Sequence, residues 1–314
     1  MELGVRVAGI ELEHPIMNAA GPRCKTLEQI QELVWSPAAA VMAGSITWEA
    51  RPGNQGDVYH SQPGEFSLNS LGLPNGGRVY YAEYLSLMAK MAHNSGCGKT
   101  LWVSVAGFTP REFEELTGMA FQQGADLVEL NLGCPNVWDG GKQKRIFSFD
   151  PGLVEAVLQH VEAGLNPDRS FAISVKVSPF SDPVLLEEVA SVIASSPIVS
   201  AVTAINTFPN GFGFREDGNS AISPQFSKGL AGMAGPALKA IGLGQVMQWR
   251  NLLPSHIDVI GVGGVHSGQD VLDYLKAGAK AVQIATAFAD QGSNVFGRVL
   301  AEFVSLKEKE AVAS

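Results

Sequence analysis

Leu127 to Asn136 reads LVELNLGCPN, and the reading of this stretch decides the fold. Its first half is apolar at nearly every position, as in a parallel strand buried on both faces. With no helix or long linker between, Asn131, Gly133, Cys134, Pro135 and Asn136 follow. Two amides and a thiol therefore stand where a buried strand ends. In parallel α/β folds the chemistry is built at the carboxyl ends of the strands.

The same grammar recurs along the chain. Apolar segments closing on Gly, Ser, Asn or Ala, or followed at once by Gly or Ser, run over Pro15–Gly21, Ala38–Ser45, Leu101–Ala106, Asp126–Leu132, Phe171–Val177, Ser200–Asn206, Ile257–Val262 and Ala281–Ala285. Helical periodicity lies between them: Thr26–Val34, with Thr26 as N-cap, Val79–Met91, and stretches beginning near Pro110, Asp150, Asp182, Pro236, Ser267 and Val295. Eight βα units predict an α/β chain folded as a closed (β/α)8 TIM barrel with right-handed connections. An open doubly wound sheet is the competing architecture. Residues 1–314 form one domain in this reading, with no linker to divide them. Val5–Leu12 reads as a short N-terminal hairpin covering one end. Ile46–Arg78, rich in Gly, Pro, Asn and Ser, is a long loop insertion after the second strand, and loops of that length are usually functional.

Composition narrows the partners. Hydrophobic residues make up 46% of the 314 and charged residues 17%, enough for a large core. Formal charge is 22 − 31 = −9 with no basic block, which argues against nucleic acid. Cys24, Cys97 and Cys134 form no CxxC pair, so no metal cluster is expected and reduced thiols are. No signal peptide is visible, and no apolar run approaches the ~20 residues that span a bilayer. The expected location is the cytoplasm.

Two phosphate motifs fail. Ser95–Thr100 (SGCGKT) lacks the first glycine of a P-loop, and Gly261–His266 (GVGGVH) places His266 on the last glycine of GxGxxG. Gly263 and Gly264 after the seventh strand, with Ala285 and Thr286 after the eighth, still suit a phosphate, because barrels often hold one there. Lys176 sits inside the apolar FAISVKVSPF, and alternation puts Ser174, Lys176 and Ser178 on one face. A lysine in the barrel interior needs an anionic partner. Asn206 ends the sixth strand with another amide. Free cysteine is commonly buried and inert, the reading for Cys24 and Cys97. Cys134 differs by standing between two amides at a strand end, where a thiol can serve as base. His14 and His60 fall in loops and His266 opens a helix, so no histidine dyad competes, and no GxSxG turn is present.

Together these segments resemble the dihydroorotate dehydrogenase family, in its soluble homodimeric class 1A branch. The resemblance spans almost the whole chain and rests on MNAAG (Met17–Gly21), NSLGLPN (Asn69–Asn75), ELNLGCPN (Glu129–Asn136), VKVSP (Val175–Pro179), IGVGGVHSGQD (Ile260–Asp270) and VQIATA (Val282–Ala287). It implies an FMN-bound barrel that oxidises dihydroorotate to orotate in pyrimidine biosynthesis, with fumarate as electron acceptor. By resemblance Ala20, Gly21, Ser45 and Asn131 line the flavin, Lys176 contacts its ring and ribityl region, and Gly235, Gly263, Gly264, Ala285 and Thr286 hold its phosphate. Asn69, Leu71, Gly72, Leu73, Asn131, Asn136, Asn206 and Thr207 fall on the pyrimidine site, and Cys134 falls on the catalytic base.

The chain departs from the family pattern in places. Gly44 stands where the family has a lysine, Gly133 where it commonly has serine, Gln55–Val58 where prolines and an arginine are usual, and Trp138–Lys142 is longer. Gly44 keeps two alternatives open: a related FMN enzyme acting on another reduced pyrimidine or cyclic amide, and a paralogue impaired in catalysis. Dihydrouridine synthases share an NxGCP-type segment, but the charge of −9 does not suit a tRNA substrate.

Overall fold

A computed structural model describes residues 3–96, 98–139 and 141–313 of the chain; the expectation for Cys97 lies outside these residues. Eight parallel strands form one sheet: β1 (Ile16–Asn18), β2 (Ala40–Ile46), β3 (Thr100–Val105), β4 (Leu127–Asn131), β5 (Ala172–Val177), β6 (Ala201–Ala204), β7 (Asp258–Val262) and β8 (Ala281–Ile284). Their order around the sheet is β1-β8-β7-β6-β5-β4-β3-β2, so each strand neighbours its successor. The two ends, β1 and β2, do not pair as strands, yet the seam is shut. Asn18 donates from Nδ2 to the Met42 carbonyl at 2.8 Å and accepts from the Met42 N–H at 2.9 Å, as a backbone amide would. Ala39 N–H to Ile16 O (2.9 Å) and Gly21 N–H to Gly44 O (3.1 Å) flank it. The expected closed barrel is what forms.

The surrounding helices are α1 (Leu27–Trp35), α2 (Gly77–His93), α3 (Pro110–Gln122), α4 (Pro151–Gly164), α5 (Pro183–Ser195), α6 (Lys239–Leu252), α7 (Gly268–Lys276), α8 (Thr286–Gln291) and α9 (Asn294–Ala313). Local chemistry fixes their starts. Thr26 and Gln29 make a reciprocal capping box on α1, and Ser267 with Asp270 makes another on α7. Thr109-Pro110, Asp150-Pro151 and Asp182-Pro183 each place a capping oxygen before a proline whose missing N–H costs nothing there. No helix among the described residues is long and apolar enough to cross a membrane.

Strand alternation divides the interior. Val128 and Leu130 of β4, Ile173, Val175 and Val177 of β5, and Val282 and Ile284 of β8 face the helices in the main core. Residues at the amino end that face inward, Ala40, Met42, Trp102, Leu127, Ala201, Ile260 and Ala281, form a separate apolar cluster. Val7 and Leu12 join it from the hairpin Val5–Val7/Ile10–Leu12, which therefore plugs that end of the barrel as its sequence predicts. One step toward the carboxyl end the inward side chains turn polar: Ser104, Glu129, Ser174, Thr203 and Gln283 are all fully buried.

The insertion after β2 is more ordered than its composition implies. Tyr59–Gln62 and Phe66–Asn69 form a hairpin across Pro63-Gly64, with Gly64 at φ 82°, the geometry of a type II turn. His60 accordingly lies in a strand, not a loop. This hairpin pairs with Ala231–Ala234, which pairs with Phe208–Gly211, so the long loops after β2 and β6 build one four-stranded antiparallel sheet. The loop after β4 likewise contains a small hairpin, Trp138–Asp139 with Lys142–Gln143.

Candidate active site

A cavity of about 410 Å³ opens at the carboxyl ends of the strands, a size suited to a small-molecule ligand. Every residue that the resemblance puts at the flavin, the pyrimidine or the base lines it, whereas Ser174 and Ser178, expected beside Lys176, do not: they bond to Thr203 Oγ1 and the Gly133 carbonyl. Ala20, Gly21 and Ser45 come from the ends of β1 and β2; Asn69, Leu71, Gly72 and Leu73 from the hairpin side; Asn131, Cys134 and Asn136 from the end of β4. Lys176 comes from β5, Asn206 and Thr207 from just after β6, Gly235 from the loop before α6, Gly263 and Gly264 from the turn after β7, and Ala285 and Thr286 from the junction of β8 and α8.

The asparagines form two linked groups. Asn136 Nδ2 donates to Asn69 Oδ1 at 3.0 Å, while both side chains engage Gly232: Asn136 Oδ1 accepts its N–H at 3.1 Å and Asn69 Nδ2 donates to its carbonyl at 3.3 Å. Asn54, not singled out from the sequence, donates to the Asn136 carbonyl at 3.1 Å and to Ser70 O at 2.8 Å. In the second group Asn206 Nδ2 donates to Asn131 Oδ1 at 3.2 Å, and Asn131 Nδ2 donates to Ser45 Oγ at 2.9 Å. These bonds fix amide planes that would otherwise rotate. Among the described residues Thr207 Oγ1 is buried with no hydrogen-bond partner, a group that costs free energy until a ligand meets it.

The floor was only half legible. Lys176, 4% exposed, lies 3.7 Å from Glu129 Oε1 and donates to Gln283 Oε1 at 3.4 Å; Gln283 Nε2 donates in turn to Glu129 Oε2 at 3.0 Å. The anion that Lys176 demands thus includes a residue of the same chain. Glu129 was readable, being the one charge in LVELN, at a position alternating with Asn131.

Cys134 is half-buried at the cavity wall. Burial pushes its thiol pKa up; the Asn136 backbone N–H and the positive charges of Arg51 and Lys176 pull the other way without prevailing. Cys24 is fully buried, its Sγ donating to Gly44 O at 3.0 Å. Histidines do meet carboxylates, His93 with Asp126 at 2.8 Å, His160 with Glu114 at 3.1 Å and His266 with Asp270 at 2.9 Å, but of these only His266 lines the cavity.

At the opposite end Gly264, at φ 71°, packs so tightly that a Cβ would lie 2.9 Å from the Lys239 N atom and 3.0 Å from Gly235 O. The bare backbone turn therefore borders the cavity. Asp270 holds it from behind, accepting from the N–H groups of His266 (3.0 Å) and Ser267 (2.8 Å) and pairing with Lys239 Nζ at 2.5 Å. Thr286 Oγ1 and Ser67 Oγ lie 2.9 Å apart beside it. Glycine turns, a buried cation and an unpartnered hydroxyl around one cavity fit a flavin cofactor and a flat polar ligand. Lys25, Tyr59, Ser61 and Asp290 also line the cavity and carry no motif that the sequence would single out.

Gly44 has a structural reason. Its φ is 107°, and a Cβ would lie 2.4 Å from the Ser104 carbonyl oxygen, so no lysine side chain fits this backbone.

Comparison with known proteins agrees with this geometry. A dihydroorotate dehydrogenase family model matches residues 2–306. A putative dihydroorotate dehydrogenase A (fumarate) of Streptococcus pyogenes serotype M3 is 31% identical over 312 residues, covering 98% of this chain and 94% of the relative. A probable dihydroorotate dehydrogenase A (fumarate) of Streptococcus pneumoniae serotype 4 is 30% identical over 310 residues, with the same coverage of 98% and 94%. The crystal structure of DHODH from Eimeria tenella, in complex with ferulenol, superposes with a TM-score of 0.77 at 17% identity over 98% of this chain and 85% of that one, which bears on the fold. The chain belongs to the dihydroorotate dehydrogenase family of oxidoreductases.

Proposed function

We propose that this protein is an FMN-dependent dihydroorotate dehydrogenase that acts as one domain, working with a soluble acceptor, fumarate, as a homodimer in the cytoplasm. The observation that carries the reading is the convergence of Cys134, four asparagines, Lys176 and the Gly263-Gly264 turn on one cavity. The fumarate-dependent type to which the streptococcal relatives are assigned favours fumarate.

Gly235, Gly263, Gly264, Ala285 and Thr286 would hold the FMN phosphate, with Ala20, Gly21, Ser45, Asn131 and Lys176 along the rest of the cofactor. Bound FMN supplies the acceptor for the hydride that leaves carbon 6 of dihydroorotate. Cys134 takes the proton from carbon 5, so that base and acceptor address opposite ends of one carbon–carbon bond. Asn69 with Asn136 and Asn131 with Asn206, each pair held by its mutual bond, present amides to the ring's carbonyls and N–H groups; Leu71, Gly72, Leu73 and Thr207 complete its enclosure. Arg51 and Lys176 stabilise the thiolate that Cys134 needs.

The test is direct. The purified protein is expected to be yellow and to bleach anaerobically on addition of dihydroorotate, then to recover colour with fumarate. A yellow protein indifferent to dihydroorotate removes the substrate assignment. The second reading, a neutral reduced pyrimidine or cyclic amide as substrate, draws on Gly44; bleaching by dihydrouracil in preference to dihydroorotate would establish it.

A further inference from the structure

The cavity has two lysines, and the chain neutralises only one. Lys176 has Glu129 and Gln283. Asp290, the carboxylate of the lining, is occupied by the hydroxyls of Tyr59 at 2.7 Å and Ser61 at 2.6 Å. Lys25 is different: among the described residues no side chain or carbonyl bonds to its ammonium. Its burial lowers the ammonium pKa, with only Cys24 acting in the opposite sense. A cation that loses hydration without gaining a partner is held at a cost, and an anion entering the cavity removes that cost.

The root of this side chain is fixed. The Lys25 N–H donates to Gln29 Oε1 at 2.8 Å, and its carbonyl accepts from Tyr81 OH at 2.8 Å. The preceding residue is tied to the β2 rim by Gly44 N–H to Cys24 O (2.9 Å) and Cys24 Sγ to Gly44 O (3.0 Å). Lys25 therefore projects from a rigid segment bonded to Gly44, the position that cannot carry a side chain. We propose that Lys25 binds the anionic group of the ligand, a carboxylate, and so sets the preference for an acid over the corresponding neutral cyclic amide. This deepens the dihydroorotate reading and rests on it for the identity of the acid.

The experiment is a flavin-absorbance titration of the FMN-loaded protein with orotate, uracil, fumarate and benzoate, for wild type, Lys25→Met, Lys25→Gln and Lys25→Arg, with flavin content and Tm recorded for each. Wild type is expected to bind orotate more tightly than uracil. Lys25→Met and Lys25→Gln should weaken orotate about tenfold or more while leaving uracil unchanged, and Lys25→Arg should keep most of the preference. Retained preference in Lys25→Met overturns the role of Lys25 and leaves the dihydroorotate reading standing. A wild type blind to orotate that binds fumarate or benzoate through Lys25 keeps the anion site and removes dihydroorotate. A wild type that binds none of the carboxylates overturns the inference.

Discussion

Glu129 and Lys176 face each other at 3.7 Å from neighbouring strands β4 and β5, Glu129 fully buried and Lys176 exposed only where it borders the cavity. Such a pair adds little over a well-packed apolar substitute, but removing one partner strands the other charge. Glu129→Gln is expected to destabilise the protein by ~3–5 kcal/mol in urea unfolding, and Glu129→Gln with Lys176→Met together should recover most of that loss. Equal stability of the single and double variants would show that the pair is not coupled.

Cys134→Ser should slow flavin reduction by about 10²–10⁴-fold while bound FMN is retained, the usual range for loss of a general base. Because burial raises the thiol pKa, the reactive thiolate is scarce at neutral pH and increases as pH rises. Rapid-mixing measurements should find the reduction rate climbing with pH to a plateau above the ordinary thiol range. A rate flat from neutral to alkaline pH would remove Cys134 from the proton-abstracting step.

Most of the barrel was legible because each buried strand ends abruptly in small or polar residues, and because Thr26, Thr109, Asp150, Asp182 and Ser267 announce the next helix. Cys134 and its asparagines were legible for the same reason: they sit where a strand stops. The hairpin at Tyr59–Asn69 was hidden because the residues it turns to the cavity, Tyr59, Ser61, Ser67 and Asn69, are themselves polar, so the alternation of apolar and polar residues is lost. Lys25 was hidden because a lysine near a helix start looks like any solvated charge; only the fold shows that it lines a cavity.

Gly44→Ala tests the β2 rim. A Cβ 2.4 Å from Ser104 O, at φ 107°, cannot be relieved by a side-chain rotation. The expected result is a loss of at least ~1–3 kcal/mol of stability from backbone strain, read by denaturation, with reduced flavin content. Gly44→Lys should behave no better, and gain of activity there would contradict the geometry.

Asp270 links stability to pH. Burial alone would raise its pKa, but hydrogen bonds from Lys239, the His266 N–H and Ser267 outweigh it and hold the carboxyl below the usual range. A depressed folded-state pKa means that this stabilisation is fully present above the ordinary carboxylate range and is lost as pH falls through the depressed value. Asp270→Asn should therefore cost ~1–3 kcal/mol at neutral pH and flatten the acid limb of the stability curve. An unchanged acid limb, measured by urea titrations across pH, would assign that limb to other carboxylates.

The clasp at Asn18 makes the barrel a hoop whose last joint is fastened by a side chain and not by a ladder. Seven of its junctions are strand ladders that fix both backbones residue by residue, whereas the eighth, among the described residues, is spanned by the Asn18 side-chain amide and scattered bonds from Ile16, Gly21 and Cys24. Beyond that amide, the chain at Gly21–Lys25 and the chain at Gly44–Ser45 answer to each other through local bonds alone. The seam is thus where this scaffold tolerates renegotiation: a charged group can be supplied from either bank without rewriting a ladder, and the catalytic rim can change its chemistry while the barrel keeps its shape.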